Sequence, residues 1–429
     1  MKNPFTRLRA VLAQISDKRF WQKVGQKAKE PVFGAADLDA LKDPYYAKVA
    51  NRYGLLQIVL FIVLFFFVIF SVFGNIESIT YGNFLYFVKD FEASAGQPQE
   101  GAMLYYNADT AQSFLPYRTG LAVVGNKTLT LFTASGRKTL GRSVEMTNPR
   151  AVVSDKTVLA YDLGGTHVLL CNSFATLWEK TYDYAVTDAA LSASGSFAVV
   201  TGHQTYRCAV DLYTDSYSLT GRYLKNAYLT DLALNASGNR LAMVGLEPVG
   251  DDVQLSARIW MYESGTEKAL LDLTLENELP LACTFNADGD LLVLCREELL
   301  IFNAAGRELD SIALGGYGES VRFSLGADGI VLLCKSTAPA SGMHEEYRVI
   351  VLDSEGNLVR DEQIAGDVSD VARSGQGVYL LQRNAVIRLD LRTGQTQTHA
   401  LSAPALGLVA ADGRSVYLCR SEAALLVRF

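Results

Sequence analysis

The chain has 429 residues, of which 49% are apolar and 20% charged, so intrinsic disorder and a collagen-like structure are excluded. The length exceeds that of one compact domain unless the domain is a barrel or a propeller. The net charge of −7 divides unevenly, because residues 1–54 carry 11 Lys and Arg against 5 Asp and Glu, whereas the rest of the chain has a net charge of −13. The two regions are therefore expected to lie in different surroundings.

The first 54 residues form a basic arm. Phe5, Leu8, Leu12 and Ile15 recur at helical spacing among Lys and Arg residues, which predicts a basic amphipathic helix. Such a helix binds either an anionic lipid surface or a cytoplasmic partner, and each Lys or Arg near the lipid adds about 1 kcal/mol. The alternative is that the arm only holds the N-terminus inside the cell.

Residues 55–74 form an apolar segment of twenty residues without a charge. At about 1.5 Å per residue a helix of this length crosses roughly 30 Å of hydrocarbon, so the segment predicts one transmembrane helix. A buried core helix is the first alternative, and it fits poorly because the segment has no polar stripe. A cleaved signal peptide is the second, and it fits poorly because 54 residues precede the segment.

The charges that flank the apolar segment predict its orientation. Lys42, Lys48 and Arg52 lie on its N-terminal side, whereas Lys89 on the other side is followed by acidic residues. By the positive-inside rule the N-terminus is cytoplasmic. We therefore predict an uncleaved signal anchor in the cell membrane, with residues 75–429 outside the cell.

Residues 75–429 have the pattern of an all-β domain, with short alternating apolar runs separated by Gly, Asp-Gly and Ser-Gly turns. A phrase of two strands and a turn recurs six times, and its turn glycines are spaced 43, 51, 40, 48 and 36 residues apart. These glycines are Gly195, Gly238, Gly289, Gly329, Gly377 and Gly413. Two earlier segments, 119–136 and 151–165, have the same alternation, which makes eight units. A period of this length predicts a β-propeller of eight blades, with seven blades or a pair of β-sandwiches as alternatives.

The unit that begins at Val186 shows the plan of one blade. Its predicted strands end at Leu191 and then run over 196–201, 206–212 and 217–223. The last unit, 406–429, holds three strands at most, so a strand from 83–91 or 102–107 is expected to complete it and close the ring. Two insertions, 246–258 and 336–348, are predicted to be surface loops, where binding specificity tends to lie.

Several segments of the chain resemble those of a known protein family. The apolar segment followed by ESITYGNFLYFVKDF, FLPYRTGLAVVGNKTLTLFTASG, VLAYDLGG and TDAALSASGSFAVVTGHQTY resembles a family of uncharacterised single-pass proteins from Gram-positive anaerobic bacteria, with a domain of unknown function. The resemblance covers most of residues 40–429. It implies an envelope protein with a WD-repeat-like propeller and brings no catalytic residues. The chain departs from true WD repeats because its units lack the Gly-His and Trp-Asp pairs, and LDLRTGQTQT lacks the Trp of quinoprotein propellers.

The residue types that most often carry chemistry form no recognisable motif. Cys295, Cys334 and Cys419 end the second strand of their units, where other units have glycine, so packed free thiols are expected, with disulfides as the alternative. The four histidines are scattered over four units, and there is no HExxH, GxSxG or phosphate-binding loop. We therefore predict neither a metal nor a cofactor.

One constellation remains. Asp188, Asp231 and Asp370 each stand seven residues before a turn glycine, at the start of the innermost predicted strand, and Arg322 occupies the same place in another unit. Inner strands line the channel of a propeller, so these side chains are candidates for a cation or ligand site at the channel mouth. The alternative is that each Asp accepts hydrogen bonds from turn or neighbouring-blade amides.

Two hypotheses for function follow. The first is a non-enzymatic module that binds or scaffolds an envelope protein, peptide or polymer outside the membrane. The second is an extracytoplasmic hydrolase or quinone-cofactor dehydrogenase with its site at the channel mouth. Nucleic-acid binding is disfavoured, because an outer domain with a net charge of −13 repels phosphate.

Overall fold

A computed structural model describes residues 101–250, 254–335 and 346–429, together with six residues of the apolar segment. The predicted arm at 1–54, the candidate strand at 83–91 and residues 336–345 of the second insertion lie outside the described residues. So does the predicted span at 55–74, apart from those six. Two compact units divide the chain at Phe84 and Leu85.

In the first unit the six described residues are helical. They are Leu56, Gln57, Leu60, Phe61, Leu64 and Phe65. The five apolar ones are exposed, with exposed fractions between 53% and 69%. Within the described residues, no helix has both the length and the apolar character that crossing a bilayer requires.

The second unit is built from strands numbered in chain order. The strands of its first half are β1 (Met103–Tyr105), β2 (Gln112–Tyr117), β3 (Gly120–Gly125), β4 (Thr128–Phe132), β5 (Lys138–Ser143), β6 (Pro149–Val153), β7 (Val158–Asp162), β8 (His167–Cys171), β9 (Thr176–Thr181), β10 (Val186–Leu191), β11 (Phe197–Thr201), β12 (Cys208–Tyr213), β13 (Leu219–Lys225), β14 (Tyr228–Leu234), β15 (Arg240–Val249) and β16 (Gln254–Glu263). The strands of its second half are β17 (Ala269–Leu275), β18 (Pro280–Phe285), β19 (Leu291–Cys295), β20 (Glu298–Phe302), β21 (Glu308–Ala313), β22 (Ser320–Gly326), β23 (Gly329–Lys335), β24 (Glu346–Leu352), β25 (Leu358–Ala365), β26 (Val368–Ser374), β27 (Gly377–Gln382), β28 (Ala385–Asp390), β29 (Thr396–Ala400), β30 (Gly407–Ala410), β31 (Ser415–Cys419) and β32 (Ala423–Arg428). A 3₁₀ turn, Gly315–Tyr317, precedes β22.

These strands form eight four-stranded antiparallel sheets, which are the blades of a β-propeller. Blade 1 is β2 to β5, each later blade takes the next four strands, and blade 8 has the order β1-β32-β31-β30. Each inner strand contacts the inner strand of the next blade, and β30 contacts β2, so the ring is closed. The predicted all-β propeller is confirmed with eight blades, and the alternatives of seven blades and of paired sandwiches are wrong.

The closing strand is the second of the two candidates. β1 lies within the predicted 102–107 and pairs with β32, with Leu104 opposite Ala424. Backbone bonds from Gly101 to Leu426 and from Tyr106 to Glu422 extend the pairing on both sides. The first and last strands that the structure describes in this unit therefore share one blade, which joins the two ends of the ring.

The core lies between neighbouring blades, because both faces of each sheet are covered. The second strands are accordingly almost continuous apolar runs, as in β11 and β19, where every residue is buried. The outer strands alternate or are exposed, as in β29. All six cysteines are buried free thiols, which confirms the packed thiols expected at Cys295, Cys334 and Cys419.

In the blade that begins at Val186, the predicted strand bounds agree with the observed ones to within about two residues. Two predictions need correction. In blade 7 the glycine with positive φ in the turn is Gly375, at 52°, whereas Gly377 begins β27. The segment 119–136 holds the second and third strands of its blade, not the first and second.

Candidate functional site

The four predicted side chains occupy one structural position, which we call the inner-strand slot. In β10, β14, β22 and β26 the pairing with the second strand skips one residue, and the residue after this bulge is Asp188, Asp231, Arg322 or Asp370. A bulge redirects the side chains next to it. The repeated spacing in the sequence therefore reflects a repeated bulge.

The slots lie at one end of the channel. Antiparallel order places the connections between blades, and those between second and third strands, on the same face of the propeller, which we call the front face. Inner strands begin at this face, and the slot residue is the third or fourth residue of its strand. The structure therefore places all four side chains near the front end of the channel.

The ring separates these residues. Asp188 and Asp231 belong to the adjacent blades 3 and 4, Arg322 to blade 6 and Asp370 to blade 7, opposite blade 3. The charge of Asp188 acts on Asp231. In the part of the chain that the structure describes, no three His, Cys, Asp or Glu residues are arranged to hold a metal ion. The four slot residues thus form two groups on opposite sides of the ring, Asp188 with Asp231 in blades 3 and 4 and Arg322 with Asp370 in blades 6 and 7.

Two of the carboxylates link neighbouring blades. Asp231 accepts a hydrogen bond from the amide of Leu232 at 2.9 Å and one from the amide of Cys283, in blade 5, at 2.8 Å. Asp370 accepts bonds from Val371 at 2.9 Å and from Leu408, in blade 8, at 3.1 Å. Each carboxylate therefore satisfies an inner-strand amide of the following blade.

Asp188 is linked to the preceding blade, whereas Asp231 and Asp370 are linked to the following one. Its Oδ1 accepts hydrogen bonds from the amide of Ala189 at 2.8 Å and from the hydroxyl of Tyr161, in blade 2, at 3.1 Å. In blade 4, the amide of Leu232 already donates its hydrogen bond to Asp231. Asp188 therefore does not need to accept a bond from the following blade. The bonds of all three aspartates are those of acceptors between blades.

Burial changes the protonation of the adjacent pair. Desolvation raises the pKa of Asp188 to about 6, although the bonds from Ala189 and Tyr161 act in the opposite sense. Desolvation raises the pKa of Asp231 to about 7; the amide of Cys283 lowers it, and the charge of Asp188 adds to the rise. Both groups therefore titrate between mildly acidic and neutral pH.

Removing an inter-blade acceptor should weaken the fold. We expect Asp370→Ala to lower the free energy of unfolding by about 1–3 kcal/mol, because the amides of Val371 and Leu408 lose their acceptor. Urea unfolding of the full chain measures the effect. The matched control is Asp155→Ala at an exposed turn, which should stay within about 0.5 kcal/mol. Equal stability of the two variants would show that the carboxylate of Asp370 contributes nothing to joining blades 7 and 8.

The front face also carries an exposed cluster that the sequence reading missed, and we call it the aromatic patch. It consists of Tyr184, His203, Tyr206, Arg207 and Tyr228. The three tyrosines are 41%, 43% and 51% exposed. The ring of His203 lies 6.3 Å from that of Tyr184 and 5.6 Å from that of Tyr206, between centroids. The guanidinium of Arg207 covers the ring of Tyr228 at 4.6 Å and donates a hydrogen bond to its hydroxyl.

A projecting hairpin borders this patch. Residues 246–258 were expected to be a loop, but β15 and β16 continue their pairing through them to Val249 and Gln254. The hairpin starts beside the patch, because Tyr228 pairs with Leu246. Val249 and Leu255, near its end, are each 52% exposed. The insertion is thus an extension of blade 4, and it presents apolar side chains on the front face.

An open groove lies farther round the same face, between blades 1 and 2. Its volume is about 760 Å³, and its lining includes Lys127, Glu145, His167 and Glu179. Glu179 accepts a hydrogen bond from Nε2 of His167 at 2.9 Å and pairs with Arg142 at 2.6 Å. These contacts lower the pKa of Glu179, that with His167 most strongly. The groove is therefore lined by residues of both charges, of which Glu179 is held by His167 and by Arg142.

The residues of the aromatic patch come from three separate segments of the sequence. Tyr184 lies before β10, His203, Tyr206 and Arg207 lie between β11 and β12, and Tyr228 begins β14. Each position belongs to a connection or strand end of the front face. A sequence search restricted to those positions would have found three tyrosines and an arginine. The positions that share the front face are known, however, only when the order of the strands in the sheets is known.

Comparisons with known proteins identify one family and several structures of similar fold. The family described as "Family of unknown function (DUF5711)" matches residues 104–425. No curated protein matches the chain. The computationally designed Ika8 protein is similar in structure with a TM-score of 0.53 and 14% identity, covering 78% of this chain and 100% of its own.

Two natural proteins show comparable similarity. BamB from Moraxella catarrhalis has a TM-score of 0.50 and 12% identity, covering 77% of this chain and 99% of its own. Sqt1 from Chaetomium thermophilum, bound to the N-terminus of the ribosomal protein L10, has a TM-score of 0.52 and 13% identity, covering 78% and 100%. Identities this low show the shared propeller fold alone.

Proposed function

The chain belongs to the family of unknown function DUF5711, and we propose that its propeller is a non-enzymatic binding module for an envelope protein, peptide or polymer. The observation that carries this proposal is the aromatic patch beside the projecting hairpin. Tyrosine and arginine are the residues that most often dominate binding energy, because they combine a large apolar contact area with hydrogen-bonding groups. Propellers such as Sqt1, which was solved with a bound segment of another protein, illustrate the use of the fold as a platform.

The arrangement of the patch supports contact with a macromolecule. Its tyrosines come from three different connections or strand ends of blades 2 to 4, so their rings are held on a closed sheet framework. The stacking of Arg207 on Tyr228 orders both side chains before a partner arrives. Ordering in the free protein lowers the entropy lost on binding.

The proposed location is the outer side of the cell membrane. The uncharged segment at 55–74 supports a single membrane anchor, and the exposed Leu and Phe side chains of its described helical residues suit a lipid environment. The basic residues before this segment support a cytoplasmic N-terminus. We propose that the arm at 1–54 contacts anionic lipid or a cytoplasmic partner.

The test is site-specific photocrosslinking of the full chain in its native cells. A crosslinking amino acid at Tyr206 should capture a defined envelope component, whereas the same amino acid at Tyr105, which is 69% exposed on the rim of blade 8, should not. Arg207→Ala should weaken capture at Tyr206 at least tenfold, because a central arginine is worth about 1.4–2 kcal/mol or more.

Controls separate binding from folding. Arg207→Ala leaves the strands intact, so its thermal unfolding should match that of the wild type. Capture at Tyr206 that survives Arg207→Ala and Tyr228→Ala, or equal capture at Tyr105, would contradict the proposal. Turnover of a hydrolase or dehydrogenase substrate that is lost with Asp188→Asn would instead favour an enzyme.

A further inference from the structure

The outer edge of blade 7 differs from the other outer edges of the propeller. Its outermost strand, β29, has no Lys, Arg, Asp or Glu, and all five of its residues are exposed. The outermost strands of blades 1 to 6 each carry at least one charged residue, and β1, the outermost strand of blade 8, has only three residues. Charged side chains on an edge strand oppose pairing with another chain. The edge of blade 7 therefore lacks a protection that most of the other edges have.

The backbone of β29 offers hydrogen bonds to a further strand. In an antiparallel pair, residues that bond to the partner strand alternate with residues whose amide and carbonyl point away from it. The amide of Leu401 donates a hydrogen bond to the carbonyl of Asn384 at 2.8 Å. The amide of Asp390 donates one to the carbonyl of Gln395 at 3.0 Å, so the odd-numbered residues of this segment bond to β28. The residues whose amides and carbonyls point away from blade 7, which we call the outward residues, are Thr396, Thr398 and Ala400.

This edge is complementary to itself. When two copies of β29 pair antiparallel about a two-fold axis at Thr398, Thr398 faces its counterpart and Thr396 faces Ala400, so outward residues lie opposite outward residues. Each such pair exchanges two backbone bonds, which gives about six bonds across the interface. Threonines directly opposite each other stabilise an antiparallel pair, whereas like charges destabilise it. The sequence from Thr393 to Ala411 contains no Asp, Glu, Lys or Arg, so the paired strands bring no like charges together.

We propose that the chain forms a symmetric dimer through β29, in which the four-stranded sheets of blade 7 from two copies join into one continuous antiparallel sheet. A two-fold axis suits this edge, because one self-complementary patch serves both subunits. The outer strands of blades 1 to 6 are poorer partners for β29, since their charged side chains lose part of their hydration against it. The aromatic patch lies on blades 2 to 4, so dimerisation and the proposed binding function use different surfaces.

The first experiment is a disulfide crosslink in the full chain. Thr398→Cys places two thiols opposite each other on the two-fold axis, where the Cα atoms of such a pair lie about 5.5 Å apart, within the range that a disulfide spans. The six native cysteines are buried, so mild oxidation should join two copies of this variant at position 398. The matched control is Thr274→Cys, at an exposed position of β17 in blade 4, which should remain a monomer on a non-reducing gel.

Sedimentation of the full chain in detergent measures the dissociation constant of the dimer without a crosslink. Thr398→Lys opposes two positive charges on the axis, so it should raise this constant at least about tenfold, whereas Thr274→Lys should leave it unchanged. Both threonines are exposed, so thermal unfolding of the two variants should match that of the wild type.

Three results would overturn the proposal and leave the binding function untouched. They are a dimer that Thr398→Lys weakens no more than Thr274→Lys does, equal crosslinking of the two cysteine variants, and a wild-type chain that sediments as a monomer. The monomer would instead indicate an extended segment of another protein as the occupant of the edge of blade 7.

Discussion

Leu104→Asp should unfold the propeller or lower its free energy of unfolding by about 5 kcal/mol or more. Leu104 is 1% exposed in β1, the strand that completes blade 8, and it packs against Leu121 of blade 1 and Tyr417 of blade 8. An unpaired carboxylate at this position has no partner in the seam, and burying it is far more costly than burying an apolar group. Since β1 has only three residues, it has few other contacts with which to hold the ring closed.

Chemical denaturation of the full chain measures this effect, and the neighbouring residue supplies the control. Tyr105 lies on the same short strand but is 69% exposed, so Tyr105→Asp adds the same charge without burying it. We expect that control to change the free energy of unfolding by no more than about 1 kcal/mol. Similar behaviour of the two variants would mean that β1 does not close the ring.

Arg222→Met should lower the free energy of unfolding by about 3 kcal/mol. Asp211 is 1% exposed, and both of its carboxylate oxygens accept hydrogen bonds from Arg222, at 2.6 and 2.8 Å. Lys180, at 3.9 Å, and the hydroxyl of Tyr213, at 3.4 Å, remain as weaker partners after the substitution. The side chain of Arg222 is 51% exposed, so the loss comes from the carboxylate of Asp211, which stays buried without full compensation.

A double-mutant cycle tests that explanation. Asp211→Leu combined with Arg222→Met removes both charges and should restore most of the lost stability, because the desolvation cost of the pair disappears with the pair. The relevant quantity is the interaction energy from urea unfolding of the wild type, the two single variants and the double variant. Losses that simply add would show that the charge pair is not the source of the effect.

The fold could be predicted from the sequence, whereas the surface on which the binding hypothesis rests could not. The strands of the blade at Val186, the need for a closing strand from 83–91 or 102–107 and the packed cysteines were predicted from alternation, turn residues and repetition in the sequence. Each of these signals is local, because a strand with both faces covered must be apolar wherever it lies in the ring. The slot of Asp188, Asp231 and Asp370 was likewise visible as a fixed distance to a turn.

The relations between these local features were decided by the tertiary structure. Asp188 and Asp231 interact because blades 3 and 4 are adjacent, whereas Asp370 lies across the ring in blade 7, although all three have a glycine seven residues later in the sequence. The insertion at 246–258 became a hairpin because β15 and β16 continue their pairing. Tyr184 and Tyr206 lie beside His203, and Tyr228 beside Arg207, only after the blades fold beside one another. The repeating unit and its core could be predicted from the sequence, since these depend on period and polarity along the chain. Which side chains share a surface was decided by ring closure, since that depends on distances between blades.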